Sequence, residues 1–526
     1  MPAPFVPLDM RTTRRAVLGG VLGLGALSVL SGCGRGQAEA APKFDLSKPV
    51  KGGSLTVGFV GGGASDTLDA QVATNLGDIG RAINLYNSLM YFDDDYELRP
   101  MLAEEITPNE DATVWTVKLR SGVKFSDGRP LRPEDVIASY TRIIDPDDPK
   151  NGAASLGHLD RMVKVDERTV EFHLSSADAE FDNLTGSYAN VIVPEDFDVE
   201  NPVGTGPFML EDFVPAQSTV MVPNPHYWGD EGPHLERVVL LNFNDNDALI
   251  NALLSNQVDA IASIPAALTH VLESDPRLSI LNSVTGMYLP FTMRVDQAPF
   301  DDVRVRQAMR LAVDRPGMIN QTLSGQGIVG NDMYAVFDPS YPDVPQREQN
   351  IAEAKRLLAE AGHPDGIDIE LVTAPIQAGA VEAAQVFAQQ AKEADIRVKI
   401  NQMDLTAFWG DYLNYGFSQS FWYTRNFLEQ ASASSLPDSP FNECHFDDPE
   451  FNELVAAARA ERDPERRAEI IAEAQTILFE RGGFIIWGFA NQLDAHQNYV
   501  GGLVENRTGI PLSGFQFHRV FIGEAL

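Results

Sequence analysis

An α/β fold, with strands and helices alternating around more than one hydrophobic core, is what this sequence predicts, and three observations carry the prediction. Trp115, Val117 and Leu119 alternate with Thr116 and Lys118, the period of two expected of a strand with one buried face, and a helix follows. The string NIAEAKRLLAEAG places Asn350 as a helix cap and Gly362 as its stop, after which the chain alternates at Ile367, Ile369 and Leu371 and again at Ile396, Val398 and Ile400. At 526 residues the chain is several times the length of an ordinary domain, so two or three cores are expected.

Residues 1–32 read as a signal peptide. Arg14 and Arg15 form a twin-arginine pair ahead of a weakly apolar run, 16–29, too short to span a bilayer, which needs about 20 apolar residues. Leu30, Ser31, Gly32 and Cys33 look like a bacterial lipobox, which implies cleavage before Cys33 and a lipid on its thiol. With Cys33 lipidated, Cys444 is alone and no intrachain disulfide forms. Small, polar, proline-punctuated residues then make 33–50 a tether.

Folding is expected from residue 51. LTVGFV is a strand running into Gly61, Gly62 and Gly63, but the third glycine of a dinucleotide fingerprint is unfilled and no phosphate-binding GxxxxGK[ST] occurs. Ser126, Asp127 and Gly128 turn the chain, Pro133 falls at the first position of a helix, and Glu134 and Asp135 place negative charge at its amide end. RMVKVDERTVEFHL reads as a hairpin, with Val163 and Val165 on one strand and Val170, Phe172 and Leu174 on the other. Leu249, Ala252 and Leu253 mark a helix, and Pro449 and Pro464 open two more after Asp448 and Asp463.

Forty Lys plus Arg against 75 Asp plus Glu give a formal net charge of −35, which repels phosphate backbones and argues against nucleic acid as a partner. There is no GxSxG elbow, no HExxH and no paired CxxC, and the nine histidines are scattered without an i, i+4 pair. No catalytic residue, metal site or cofactor is expected; Cys444 beside His445 is the one pair of soft ligands.

The run from Pro100, LAEEITPNEDATVWTVKLRSGVKFSDGRPLRPEDV, resembles the family 5 solute-binding proteins of ABC importers, whose members bind dipeptides, oligopeptides or nickel. PVGTGPF, NPHYWGD, NDALINALLSNQVDA and YLPFTMRVDQAPFDDVRVRQAMRLAVDRPGMI follow in family order, so the resemblance covers about 51–526. It implies a two-lobed, periplasmic-binding-protein-like fold (type II, cluster C) with an extra subdomain on the first lobe. Residues 51–90, 200–280 and 496–526 would form lobe 1, 91–199 the subdomain and 281–495 lobe 2, with two crossing strands. The stretch 85–141 would largely belong to the structural subdomain rather than to the site.

In function, the resemblance implies an extracytoplasmic, monomeric lipoprotein, exported by the twin-arginine route and anchored to the cell membrane through Cys33. It would close on a small, peptide-like solute and deliver it to two permease and two ATPase subunits. A ligand-sensing receptor or chaperone without transport is a second class, and a secreted hydrolase a remote third that the sequence equips with no nucleophile.

FSQSFWYTRNFLE is the informative stretch for the ligand. Phe417, Phe421, Trp422, Tyr423 and Phe427 fit core packing at strand or helix spacing, but the family places an aromatic-rich segment here along the cleft. In its peptide binders an aspartate three residues after the tryptophan pairs with the peptide ammonium; that position here is Arg425. A guanidinium would attract carboxylate or phosphate. Alternatively Glu429 neutralises Arg425, Arg425 points away, or Glu429 itself takes the cation. For the opposite walls the resemblance suggests Ser65, Asp66, Thr67, Tyr86, Asn87, Thr205 in the turn 204–206, and Tyr288, Phe291 and Met293. Peptide, modified amino acid, oligosaccharide and metal complex all remain open as the solute.

Overall fold

The computed structural model describes residues 42–526, so the expected signal peptide and Cys33 lie outside the described residues. The largest sheet has eight strands. Its order is Leu278–Tyr288, Gly488–Gln497, Ala260–Ile261, Ser54–Val60, Arg237–Phe243, Ser218–Pro223 and Phe208–Val214, with Gly327–Val329 paired to Gly488–Gln497 off this path. Ser54–Val60 runs parallel to both Arg237–Phe243 and Ala260–Ile261, and its Leu55, Val57 and Phe59 are buried as the apolar alternation requires. Helices Leu76–Leu85 and Asn246–Leu254 pack against this sheet, each capped by a side chain, Asn75 and Asp245.

A separate four-stranded antiparallel sheet is built from Ala103–Pro108, Val114–Leu119, Thr169–Leu174 and Leu159–Lys164, in that order. Trp115, Val117 and Leu119 all face inward, where they meet Val136, Tyr140 and Ile143 of the helix Pro133–Ile143. The hairpin is as expected, but only its second strand buries its valine and phenylalanine. Val163 is exposed because the register, shifted between Leu159 and Arg161, sets it opposite Glu171 on the outward face, and Val165 lies just beyond the strand Leu159–Lys164.

The region 291–485 has its own core. Ile367–Thr373 and Ile396–Gln402 pair in parallel with helix Ala380–Ala391 packed on them, and Phe291–Met293 is held between Phe417–Gln419 and Phe484–Ile485. Asn350 caps its helix as expected, accepting from the Glu353 amide, and Asp448 and Asp463 cap Pro449–Ala460 and Pro464–Arg481. Asp332, fully buried, is contacted by the guanidinium groups of Arg315 and Arg347, with Arg310 at 4.0 Å.

Two long antiparallel strands, Leu278–Tyr288 and Gly488–Gln497, run from one core to another: Leu278, Leu493 and Ala495 lie in one cluster, Met287 and Ala490 in another. Their register shifts between Ser283 and Met287. At the chain ends, Phe44–Asp45 pairs with Glu524–Ala525, so regular structure begins inside the stretch read from sequence as tether.

Candidate functional site

A cavity of about 270 Å³, measured at the centres of water-sized spheres, lies where several separate pieces of chain converge. At roughly 10–15 Å³ of such volume per water and ~30 Å³ of liquid each, it holds about 20 waters, or ~600 Å³, within the ~300–1,000 Å³ usual for small-molecule sites. Its walls come from the helix Leu76–Leu85 and the following residues to Met101, from 151–191, from Pro207 and Tyr227, from 423–429, and from 508–518.

Tyrosine dominates the lining: Tyr86, Tyr91, Tyr96, Tyr188, Tyr227 and Tyr423, with Phe92 stacked on Tyr96 at a ring separation of 4.4 Å. Amides and hydroxyls fill the spaces between, including Asn87, Asn151, Asn183, Ser187, Gln516 and Thr508. Among the described residues on the wall, Arg425 and Glu429 are the only Asp, Glu, Lys or Arg side chains. Such a surface offers π-faces and neutral hydrogen-bonding groups to a polar organic solute, and one site of each charge.

Arg425 and Glu429 stand four residues apart at the start of the helix Phe427–Ser434, with Arg425 Nε 3.5 Å from Glu429 Oε1. The guanidinium also lies over the Trp422 ring, 5.0 Å from its centroid. Burial raises the Glu429 carboxyl above its ordinary value, with Arg425 offsetting part of the effect. Burial also raises the Tyr423 hydroxyl and pushes Tyr188 up to about 12, so both remain neutral donors. His518 is pushed down to about 4, by burial first and then by Arg519, and presents a neutral imidazole.

The predicted contact residues divide between this wall and the structure behind it. Tyr86, Asn87, Tyr423, Arg425 and Glu429 are on the wall. Thr205 is not: it is fully buried and donates to Asn87 Oδ1 at 3.1 Å, which Trp228 Nε1 also reaches at 3.2 Å, so it orients Asn87 from behind. The flanking glycines permit this approach; a Cβ on Gly204 would stand 1.9 Å from the Leu85 carbonyl oxygen and one on Gly206 2.4 Å from that of Asn84.

Ser65, Asp66 and Thr67 are likewise off the wall. Asp66 is consumed by its own neighbourhood, accepting from the amides of Gly63 and Ala216 and from Asn75 and Asn242. The Thr67 amide donates to Asp78 and its carbonyl accepts from Arg81, while Ser65 is exposed outside the cavity. Phe291 and Met293 are core residues, because their short strand is covered by a strand on each side and by Phe387 and Phe417 over the Phe291 ring. Tyr288 and Trp422 pair backbone to backbone in a buried bridge, and Trp422 packs against Phe441 beneath Arg425.

Besides the expected Tyr86 and Asn87, the stretch 85–141, otherwise expected to be structural, supplies Ser88, Tyr91, Phe92, Tyr96 and Met101 to the wall. Tyr188, Tyr227, Gln516 and His518 were also not anticipated. Two contacts fasten the opposing segments together beside the cavity. Tyr96 Oη donates to the Thr424 carbonyl at 2.9 Å, and Arg467 Nε to Glu180 Oε1 at 3.0 Å, reinforced by the Ala179 amide donating to the Arg459 carbonyl at 2.7 Å. Burial, with Asp338 nearby, pushes the Glu180 carboxyl up to about 7.

A doubly cored α/β chain with paired crossing strands and a solute-sized cavity has the architecture of a two-lobed periplasmic binding protein, and solved structures of that class overlay it. AgaA from A. tumefacien R10, in complex with agropinic acid, aligns with a TM-score of 0.77 at 24% identity, covering 90% of this chain and 99% of that one. CtaP of Listeria monocytogenes, an ABC transporter substrate-binding protein, gives 0.79 at 20% identity, covering 90% and 100%. The glutathione-binding protein GsiB of Salmonella typhi is 26% identical over 485 residues, 86% of this chain and 90% of that protein. Residues 97–439 match the family described as bacterial extracellular solute-binding proteins, family 5 Middle, and the chain belongs to that family.

Proposed function

We propose that this protein is the solute-capturing lipoprotein of an ABC importer, taking a peptide-like organic solute into the tyrosine-lined cavity and presenting it to permease and ATPase subunits. The observation that carries this reading is the cavity itself, whose wall combines residues 76–101 and 151–191 with 423–429 and the C-terminal 508–518. A solute touching all of these favours the closed arrangement, because only there are both halves of its contacts made. The division into lobe 1, subdomain and lobe 2 at the boundaries given above belongs to the same reading.

GsiB is named for glutathione, a small peptide, and that likeness supports a peptide-like solute here. Tyr86, Asn87, Tyr423, Arg425 and Glu429 would touch it, with Thr205 and Trp422 holding Asn87 and Arg425 in place. The chain acts as a monomer outside the cytoplasm, held by lipid on Cys33 after export by the twin-arginine route. It has no catalytic role.

Mass spectrometry of the small molecule released on denaturing protein taken gently from its producing cells tests the capture. A single polar, peptide-like compound is expected; protein that carries none and binds no member of a panel of modified amino acids and of ordinary and side-chain-linked di- and tripeptides refutes it. Metabolic labelling with a fatty acid tests the anchor, and the label must vanish in Cys33→Ser.

A further inference from the structure

The charged part of the cavity wall is small and bipolar, and that restricts the ligand. Arg425 and Glu429 place one positive and one negative group 3.5 Å apart, both half-buried and both facing the cavity. No other Arg, Lys, Asp or Glu among the described residues reaches the wall. A ligand bearing one net charge would satisfy one member of the pair while pulling it from the other.

A ligand with an ammonium and a carboxylate on one carbon has its own charges about 2.5 Å apart, nitrogen to carboxyl carbon, from standard bond lengths and angle. Set against the wall, it completes a ring of alternating charges: guanidinium, carboxylate, ammonium, carboxylate. In an α-linked peptide each added residue carries the terminal carboxylate another ~3.3–3.6 Å away from the ammonium. One end then lands among tyrosines and amides with no counter-charge.

Two further observations favour a cationic group beside Glu429. Its carboxylate is disfavoured by burial that Arg425 offsets only in part, so a second cation beside it, such as an ammonium, stabilises its charge further. Arg425, in turn, rests over the Trp422 ring, which holds the guanidinium in place when a ligand carboxylate competes with Glu429 for it.

We propose, resting on the solute-capture reading above, that Arg425 and Glu429 together read an α-amino-acid head group, and that the rest of the cavity takes an uncharged body rich in aromatic, amide or hydroxyl groups. Solutes of this class are side-chain-modified amino acids and peptides joined through a side-chain carboxyl, which keep ammonium and carboxylate on one carbon. Ordinary α-peptides, dipeptides included, carry their ammonium and carboxylate on different carbons and do not qualify.

The test is calorimetry of the purified protein with two isomers, L-γ-glutamyl-L-phenylalanine amide and L-α-glutamyl-L-phenylalanine amide, and with the N-acetylated γ isomer. The γ isomer keeps the head group on one carbon and carries a neutral body; the α isomer has the same atoms with its charges spread. Binding of the γ isomer at least tenfold tighter than of the α isomer is expected, with none measurable for the acetylated compound. Arg425→Gln and Glu429→Gln should each abolish the preference, and the exchanged double variant R425E/E429R should restore part of it.

Equal affinity for the two isomers, undiminished binding of the acetylated probe, or failure of the γ isomer to bind at millimolar concentration overturns the assignment. The wild-type comparison decides even where a variant fails to fold. If mass spectrometry still finds a captured solute when the γ isomer fails, the head-group assignment alone falls; if no solute is ever captured, the reading beneath it falls as well.

Discussion

Replacing Glu443 by glutamine should stabilise this protein increasingly as pH rises. The Glu443 side chain is buried beside the cavity-bearing segment; Ser420 Oγ donates to its Oε1 at 2.6 Å, and its Oε2 has no partner among the described residues. Burial pushes the carboxyl from 4.5 up to about 8. A carboxyl raised in the folded state binds more protons there than in the unfolded chain, so the folded state is not penalised below pH 4.5. The penalty grows at up to ~1.36 kcal/mol per pH unit above that and is complete once pH passes the folded value.

A shift of that size corresponds to a loss of about 3–5 kcal/mol between pH 5 and pH 9, which glutamine, having no proton to lose, does not suffer. At ~2.1 cal/mol/K of unfolding entropy per residue, a chain of this length has about 1 kcal/mol/K, so the gap in Tm should widen by about 3–5 °C. Calorimetric scans of both proteins from pH 5 to pH 9 measure it, and groups common to both cancel. Parallel Tm curves, or a gap that widens in favour of the wild type, would refute the burial argument.

Three other substitutions follow from the packing. Asp332→Asn leaves the buried Arg310 and Arg315 and the partly buried Arg347 without their common carboxylate and should cost about 3–5 kcal/mol in urea unfolding. Burial works against the Asp332 charge, but the three arginines outweigh it and hold its carboxyl below 3.8. Its contribution is therefore complete above that value and lost as pH falls through the folded one, so the variant should lose the corresponding part of the acid unfolding transition. Arg467→Ala removes the ion pair to Glu180 that fastens the opposing segments beside the cavity and should speed solute release ~10-fold or more in stopped flow, with the far-UV spectrum unchanged. Trp422→Ala empties a core position and withdraws the surface under Arg425; a loss of about 3–5 kcal/mol in denaturant is expected together with weaker solute binding, and a variant of unaltered stability would contradict its place in the core.

The elements legible in the sequence are those whose signal is local. Trp115, Val117 and Leu119 announce a half-buried strand by their alternation, and Asp448-Pro449 and Asp463-Pro464 announce helix starts by capping chemistry that needs nothing from the rest of the fold. Arg425 was legible because the family string fixes its position relative to Trp422, and Glu429 because it follows four residues on, at helical spacing. Tyr188 and His518 were not: neither stands in a string that marks a site, and only the convergence of 183–191 with 508–518 brings them to one cavity. Phe291 and Met293 mislead in the opposite sense, since an apolar strand beside a cleft reads the same whether it faces the cleft or lies covered on both sides. Asp66 looked available for a ligand because the sequence does not show that four donors from its own surroundings already claim it.

The pairing of Phe44–Asp45 with Glu524–Ala525 has a mechanical consequence. Ten residues separate Cys33 from Phe44, so a lipid on Cys33 would be connected to the folded body by a leash of at most ~40 Å, at ~3.3–3.6 Å per residue. A tug on that leash enters at the strand pair joining the two ends of the chain and is shared with the C-terminus. The crossing strands Leu278–Tyr288 and Gly488–Gln497 would carry none of it directly, so the proposed anchor would leave the proposed closure of the cavity unloaded.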